Sequence, residues 1–167
     1  FMTKTILLAT GASNRMLVVP GEAGLSGRGV SYCATCDGPL FSGKKVVMVG
    51  GGNSAVTEAL HLHHMGVQVT LLHRRDKLRA QEFLAKSIKD AGIPIMWNTE
   101  VKDILGEERV TEVELFNNQT NQTSTLAVDG VFLAIGYTPA AELAQKIGVE
   151  LTEEGYIARD AKHRTNI

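Results

Sequence analysis

Residues 45–55 read Lys45-Val46-Val47-Met48-Val49-Gly50-Gly51-Gly52-Asn53-Ser54-Ala55. The first five residues form a mostly apolar run of the kind found in strands that are buried on both faces. After the glycines, residues 54–65 carry apolar residues at helical spacing, and Gly66 suits the end of that helix. A strand, a glycine-rich turn and a helix in this order are typical of a dinucleotide-binding βαβ unit.

The rest of the chain extends this unit in both directions. Apolar runs and turn residues predict further strands at 4–9, 67–72, 93–97, 101–105, 110–116, 124–128 and 131–135, and further helices at 76–91 and 141–146. The alternation of strand and helix up to residue 97 implies parallel strands with right-handed crossovers. The three strands after residue 100, with a polar tip at 117–121, predict an antiparallel meander. We therefore predict an α/β, Rossmann-like three-layer fold with a parallel sheet and an antiparallel three-stranded β-meander.

The glycine-rich turn has the spacing that a pyrophosphate site needs. Gly50 permits the tight turn, Gly52 lets the backbone approach a pyrophosphate, and the small Ala55 allows close packing of helix on strand. A tight turn without a ligand is the alternative, because turns collect glycine for backbone reasons alone.

The end of the second predicted strand bears on the choice of nucleotide. Sites for NAD place an acid about 20 residues beyond the glycine motif, where it binds the ribose hydroxyls. This chain instead has His73, Arg74 and Arg75 there, with Arg79 one helical turn further on. Guanidinium groups bind phosphate in a bidentate manner, so the pattern favours NADPH over NADH. A solvated basic turn is the alternative.

The two cysteines form a Cys-x-x-Cys pair, Cys33 and Cys36, followed directly by Asp37. Two thiols at this spacing can close a reversible disulfide, and the acid can accept or donate the proton that exchange moves. A zinc site needs two further ligands at Cys or His spacing. The only histidine cluster, at 61–64, lies on the predicted crossover helix, so we predict no metal site. Two unrelated buried cysteines remain the other alternative.

Composition narrows the class of protein. Seventeen Lys and Arg against eighteen Asp and Glu give a net charge of −1, which offers no electrostatic case for nucleic acid or an anionic membrane. No apolar run approaches the roughly 20 residues of a transmembrane helix. Two cysteines without a secretory segment favour a reducing compartment, so we expect a cytoplasmic protein. The Phe1-Met2 start suggests a chain cut from a longer one.

Four motifs in family order resemble the low-molecular-weight thioredoxin reductases. They are Gly27-Arg28-Gly29-Val30-Ser31-Tyr32-Cys33-Ala34-Thr35-Cys36-Asp37-Gly38, Val49-Gly50-Gly51-Gly52-Asn53-Ser54-Ala55, His73-Arg74-Arg75-Asp76-x-x-Arg79-Ala80 and Asp129-Gly130-Val131-Phe132-x-Ala134-Ile135-Gly136. The resemblance implies an NADPH site that includes Gly50, Gly51, Gly52, Asn53, Ser54, Ala55, Ile135 and Gly136, with His73, Arg74, Arg75 and Arg79 around the 2′-phosphate.

The resemblance also implies a redox route and a partner. In such enzymes hydride passes from NADPH to FAD, and electrons then pass to the Cys-x-x-Cys disulfide and on to thioredoxin. Cys36 would face the flavin, Cys33 would attack the partner disulfide, and Asp37 would be the general acid/base. The family further implies a homodimer and a swing of the NADPH domain relative to the FAD domain. The implied domains are 1–27 and 141–167, which are remnants of the FAD domain, and 28–140, the NADPH-binding domain with the cysteines.

Two features of the chain depart from the family pattern. The glycine-rich FAD motifs expected at both ends are absent, so we expect the isolated chain to bind NADP(H) but not to hold FAD well or turn over. Ala140 stands where the family usually has Asn. Alternatives are the flavoprotein component of alkyl hydroperoxide reductase, which is expected to lack the arginine pair, a ferredoxin-fed reductase, and a nucleotide-binding module without redox activity.

Overall fold

The computed structural model describes residues 3–167, in which strands and helices are numbered in chain order. The chain divides into two compact units. One is Met16–Gly136, and the other combines the residues up to Arg15 with Tyr137–Ile167. The unit boundaries at 16 and 136 differ from the predicted domain boundaries at 28 and 140, and the assignment of these segments to NADPH and FAD domains stays a prediction.

A five-stranded parallel sheet forms the centre of the Met16–Gly136 unit, in the order β2-β9-β3-β4-β5. Its strands are β2 Val30–Ser31, β3 Lys45–Val49, β4 Gln68–Leu72, β5 Ile95–Met96 and β9 Gly130–Leu133. The helices are α1 Ala34–Asp37, α2 Asn53–His64 and α3 Glu82–Asp90, and a 3₁₀ turn covers Gly38–Phe41. The predicted strand, turn and helix at residues 45–65 are therefore confirmed.

Successive residues of β3 point to opposite faces of the sheet, and each face has its own core. On one face Met48 packs with Val56 and Leu62 of α2 and with Ile88 of α3. On the other face Val47 and Val49 pack with apolar residues of the antiparallel meander, among them Val101, Ile104, Val113 and Leu115. The unit therefore has helices, parallel sheet and meander as three layers, which confirms the predicted fold class.

The meander consists of β6 Thr99–Leu105, β7 Glu112–Asn117 and β8 Gln122–Ala127. In β7 Val113 and Leu115 are buried, as expected of a strand with one face on a core. In β6 Thr99, Val101 and Ile104 are buried, and a register shift between Val101 and Asp103 interrupts the alternation. A polar turn at residues 118–121 joins β7 to β8, where Asn121 adopts a left-handed conformation with φ 55°. The predicted hairpin tip is confirmed.

The predicted helix at 76–91 begins later than the sequence suggested. Helix α3 starts at Glu82, because the preceding backbone amides bind the glycine-rich turn instead of a helical carbonyl. Arg79 N donates to Gly51 O at 2.7 Å, Ala80 N donates to the same oxygen at 3.1 Å, and Gln81 N donates to Asn53 Oδ1 at 2.8 Å.

The second unit is built around a short antiparallel pair, β1 Ala12–Asn14 with β10 Tyr137–Pro139. Helix α4, Glu142–Lys146, follows, and an isolated bridge joins Leu151 to Ile157. The predicted strand at 4–9 was wrong. In residues 3–167 no strand pairs with this segment, and Ile6 and Leu7 are 72% and 90% exposed.

None of the helices that residues 3–167 form has the length and apolarity required to cross a membrane.

Candidate functional site

The glycine-rich turn between β3 and α2 requires glycine at its first position. Gly50 has φ 148°, in the region that side chains avoid, and its N–H donates to Leu72 O at 3.1 Å. A Cβ on Gly50 would lie 2.5 Å from Ala134 O and 2.6 Å from the Cβ of Ala55. Ala55 is itself 0% exposed. The helix therefore packs closely on the strand, as the small third residue of the motif predicts.

The second and third glycines have different surroundings. A Cβ on Gly51 would meet the buried imidazole of His73 at 2.1 Å, whereas a Cβ on Gly52 would meet nothing within 4 Å. The Nε2 atom of His73 lies 2.9 Å from Lys77 O and donates to it, because a carbonyl oxygen can only accept. The turn is therefore open at Gly52, whereas at Gly51 it packs against the His73 imidazole.

Helix α2 begins at this open side without a side-chain cap. Gly52 is the N-cap residue and offers no side-chain acceptor, and the Asn53 side chain is occupied by Gln81 N. Within residues 3–167 the first-turn amides of α2 therefore receive no capping side chain. Uncapped amides at the N-terminus of a helix form a binding site for phosphate.

The basic turn after β4 presents three exposed arginines, Arg74, Arg75 and Arg79. The ion pairs that join side chains in residues 3–167 are Lys102–Glu100 and Arg164–Asp160, so these three guanidinium groups are paired with no carboxylate. An unpaired guanidinium keeps its donors for a phosphate. His73 differs from the arginines, since it is 5% exposed, and its predicted place beside a 2′-phosphate stays a prediction.

The two predicted redox cysteines form a disulfide, with their Cα atoms 5.3 Å apart. Cys33 is half-buried and is the N-cap residue of α1, where its sulfur accepts a hydrogen bond from Cys36 N at 3.1 Å. Cys36 is exposed. The sequence thus identified a pair that the fold brings together, although their assignment to flavin and partner stays a prediction.

A buried serine connects the disulfide motif to the predicted acid/base. Ser31, 4% exposed, accepts a hydrogen bond from Cys33 N at 3.1 Å and donates to Asp37 Oδ2 at 2.6 Å. The half-buried carboxylate of Asp37, the last residue of α1, is therefore held in one orientation. Ser31 lies within the quoted cysteine motif, but the sequence analysis assigned it no role.

A second carboxylate that the sequence analysis missed, Glu58, lies next to Ala34 of α1. Glu58 of α2 has one buried oxygen, Oε2, that bonds to no atom of residues 3–167. Burial raises the pKa of Glu58 above its ordinary value, while the nearby Ala34 N–H and the charge of His61 oppose the rise.

A third missed group orders the segment that leads to the cysteines. Glu22 is 1% exposed and accepts hydrogen bonds from Leu17 N at 3.0 Å, Val18 N at 2.7 Å and Tyr32 Oη at 2.8 Å. Val18 has φ 61°, which a β-branched residue rarely adopts, so the carboxylate stabilises a strained turn. Burial and then the Glu22 hydrogen bond and charge raise the pKa of Tyr32 to about 12.

All the predicted site segments lie at one edge of the parallel sheet. β2 pairs with β9 through Ser31 and Phe132, and β3 pairs with β9 and β4 through Val49. The carboxyl ends of these strands lead to the cysteine motif, residues 134–136, the glycine turn and the basic turn. Ligands of open α/β sheets bind outside the carboxyl ends of the strands.

The histidines at 61, 63 and 64 lie on α2 near its carboxyl end. Across residues 3–167 there is no group of three or more His, Cys, Asp or Glu placed to hold a metal ion.

Comparison with known proteins assigns the chain to a family. A family model described as pyridine nucleotide-disulphide oxidoreductase matches residues 1–167. Curated thioredoxin reductases of Listeria innocua and Bacillus subtilis are 44% and 41% identical over 169 residues, which is 100% of this chain and 53% of each relative.

Solved structures give the same assignment. The crystal structure of Lactococcus lactis thioredoxin reductase (FR conformation) matches with a TM-score of 0.92 at 42% identity, over 100% of this chain and 55% of that one. The crystal structure of T. acidophilum thioredoxin reductase matches with a TM-score of 0.89 at 36% identity, over 94% and 52%. The chain spans about half the length of these relatives. It belongs to the pyridine nucleotide-disulphide oxidoreductase family.

Proposed function

We propose that this chain is the NADPH-binding and redox-disulfide part of a flavoprotein that reduces thioredoxin or a thioredoxin-like protein. One observation carries the proposal: an uncapped helix N-terminus, a turn with three unpaired arginines and a Cys33–Cys36 disulfide follow the carboxyl ends of β3, β4 and β2 of the same parallel sheet. The names of the relatives support the choice of partner. Homodimer assembly of the whole protein stays a prediction.

The residues present fit NADPH. The open space over Gly52 admits a pyrophosphate close to the backbone, and the first-turn amides of α2 donate to it. Arg74 and Arg75, with Arg79 beside them, supply charged donors for a 2′-phosphate. Ile135 and Gly136, which follow β9 at the same edge, are proposed to line the site further along the nucleotide.

The cysteines perform thiol–disulfide exchange with the partner. The Cys33 thiolate attacks one sulfur of the partner disulfide, which forms a mixed disulfide and releases the first partner thiolate. Cys36, after Asp37 has taken its proton, attacks the Cys33 sulfur. The mixed disulfide breaks, the second partner thiolate leaves, and the Cys33–Cys36 disulfide forms again. Ser31 orients the Asp37 carboxylate for this role through its 2.6 Å hydrogen bond.

Reduction of the Cys33–Cys36 disulfide requires two electrons, which NADPH provides. FAD, when bound in the whole protein, supplies the chemistry that links a hydride donor to a disulfide. Because the chain spans about half of its relatives, we propose that it binds NADP(H) alone but does not complete the cycle.

Calorimetric titration of the 167-residue chain with NADPH and NADH tests the nucleotide assignment. We expect NADPH to bind at least about tenfold more tightly, since one charge-assisted phosphate contact contributes about 1.5–3 kcal/mol. Titration with 2′,5′-ADP and 5′-ADP should reproduce the preference, which assigns it to the 2′-phosphate. Equal affinity within each pair would contradict the proposal.

A single-turnover assay tests the disulfide assignment without flavin. The chain, reduced with a small thiol and desalted, should reduce about one equivalent of thioredoxin disulfide, because the exchange uses only its own two thiols. The Cys33→Ser variant, in which the attacking thiol is lost, is the matched control and should reduce none. Failure of the reduced native chain to transfer electrons would exclude the redox role.

A further inference from the structure

The backbone of the basic turn is held by residues far away in the sequence. Each carbonyl of residues 73–75 accepts one hydrogen bond. The donors lie in the meander or in the link at residues 97–98, which joins β5 to the first strand of the meander. Thr99 N donates to His73 O at 3.0 Å, Asn118 Nδ2 donates to Arg74 O at 2.9 Å, and Asn98 N donates to Arg75 O at 3.2 Å. The turn is therefore ordered by the neighbouring layer of the fold as well as by its own sheet.

Asn118 is the only one of these three donors that acts through its side chain. Its Nδ2 atom also donates to Glu100 Oε1 at 2.9 Å, and Glu100 Oε2 pairs with Lys102 at 3.1 Å. Both hydrogens of the Asn118 side-chain amide are therefore donated, one to the basic turn and one to the Glu100 carboxylate. Asn118 N donates to Asn98 O at 2.8 Å, which fixes the tip of the hairpin against the same link.

This arrangement engages both oxygens of a carboxylate that lies beside the basic turn, Oε1 with Asn118 and Oε2 with Lys102. Glu100 lies close enough to Arg74 for the guanidinium charge to favour its carboxylate, yet the two form no ion pair. The Asn118 hydrogen bond and then Lys102 lower the pKa of Glu100, so the group is a carboxylate at neutral pH. Without Asn118, Glu100 would be free to turn toward Arg74 and compete for the place of a phosphate.

We propose that Asn118, at the tip of the β7–β8 hairpin, is a positioning residue for nucleotide selection. It fixes the Arg74 carbonyl and engages Glu100 Oε1, so that the backbone of the turn stays ordered and its guanidinium groups stay unpaired for the 2′-phosphate. Preorganised groups bind more tightly because less freedom is lost on binding. The proposal rests on the NADPH-binding function proposed above and adds to it a selectivity element outside the glycine and arginine motifs.

The test compares Asn118→Ala with Thr120→Ala in the 167-residue chain. Thr120 lies on the same exposed tip, and only its backbone N–H is bonded, to Asn117 Oδ1. For Asn118→Ala we expect the dissociation constant of NADPH, measured by calorimetry, to rise about fivefold, the worth of one hydrogen bond, with that of NADH unchanged. Thr120→Ala should change neither constant. A loss of fold alone would weaken both nucleotides together.

Two further variants separate the parts of the mechanism. In the Arg74→Ala, Arg75→Ala background, Asn118→Ala should have no additional effect on NADPH, because its action passes through those arginines. Asn118→Ala with Glu100→Gln should recover part of the lost NADPH affinity, since the competing charge is removed.

The outcomes distinguish this inference from the proposed function. If the native chain shows no preference for NADPH, the proposed function itself fails. If the native chain prefers NADPH and Asn118→Ala keeps that preference in full, or weakens NADPH and NADH equally, the positioning role of Asn118 is overturned. That role is likewise overturned if the effect of Asn118→Ala persists in the absence of both arginines.

Discussion

The imidazole of His73 lies directly beneath Gly51, where a single added methyl group would come within 2.1 Å of its Nδ1 atom. His73 cannot move aside without cost, because it is buried and its Nε2 atom is bonded to Lys77 O. The middle glycine of the motif is therefore required for packing, whereas the open third glycine is available to a ligand.

Gly51→Ala should consequently affect mainly the stability of the fold, and Gly52→Ala mainly the binding of NADPH. Gly51→Ala should lower the free energy of unfolding by about 1–3 kcal/mol, the usual cost of overpacking. Gly52→Ala should lower the free energy of unfolding by less than Gly51→Ala, since its Cβ would meet nothing within 4 Å and only the N-cap preference for glycine is lost. It should weaken NADPH by about tenfold or more, because its Cβ would occupy the space proposed for the pyrophosphate. Denaturant unfolding and calorimetry measure the two effects. Equal destabilisation by both variants would contradict this division of roles.

Replacing Arg74 and Arg75 of the basic turn should reduce the preference for NADPH over NADH while leaving NADH affinity nearly unchanged. In Arg74→Ala with Arg75→Ala, NADPH affinity should fall about 10- to 100-fold, because charge-assisted hydrogen bonds to phosphate are lost, while NADH affinity changes less than about twofold. Lys86→Ala with Lys89→Ala is the matched control, since it removes the same charge from α3. Equal losses for both nucleotides would refute the assignment of the turn.

Tyr32 should make the stability of the chain sensitive to alkaline pH. Its pKa of about 12 in the folded chain lies above the unfolded value of about 10. The folded state thus holds this proton more tightly, so the corresponding stability is complete below about pH 10 and is lost as the pH rises toward 12. Ultraviolet titration of tyrosinate should show a late component that Tyr32→Phe removes.

Denaturant unfolding provides the control for this prediction. Between about pH 9 and about pH 11 the native chain should lose more stability than Tyr32→Phe. If the two proteins show the same dependence on pH, the hydrogen bond from Tyr32 to Glu22 does not stabilise the folded state.

Asp37 and Ser31 should affect the rate of thiol–disulfide exchange to different extents. Asp37→Asn should slow reduction of thioredoxin disulfide by the reduced chain about 100-fold or more, the usual effect of losing a general acid/base. Ser31→Ala should slow it only severalfold, because the carboxylate remains but loses its 2.6 Å hydrogen bond. Stopped-flow measurement of a single turnover gives both rates. A larger effect for Ser31→Ala would reverse the proposed order of roles.

Local signals made the strand, turn and helix at residues 45–65 predictable. The apolar run, the glycines and the helical spacing all lie within about twenty consecutive residues and agree with one another. The same holds for the Cys33 and Cys36 pair, whose spacing alone allows a disulfide.

Tertiary contacts explain what the sequence could not show. Helix α3 starts at Glu82 because the backbone amides of Arg79 and Ala80 donate to Gly51 O, about thirty residues earlier in the chain. Asn118 is bonded to Arg74 across 44 positions of sequence, and nothing in an exposed polar hairpin tip marks it as a partner of the basic turn. The apolar segment at 4–9 has strand composition, but composition does not reveal whether a neighbouring strand exists to pair with it.

The antiparallel pairing of β1 with β10 has a consequence for modularity. Asn14 and Tyr137 are direct partners across this ribbon, so the long segment between them leaves and returns at adjacent points of the backbone. A segment whose two ends meet in this way can be exchanged for a short reverse turn or transplanted into another host with little cost at the junction. The ribbon is a natural junction, at which evolution or an engineer could exchange the segment between Asn14 and Tyr137 for another.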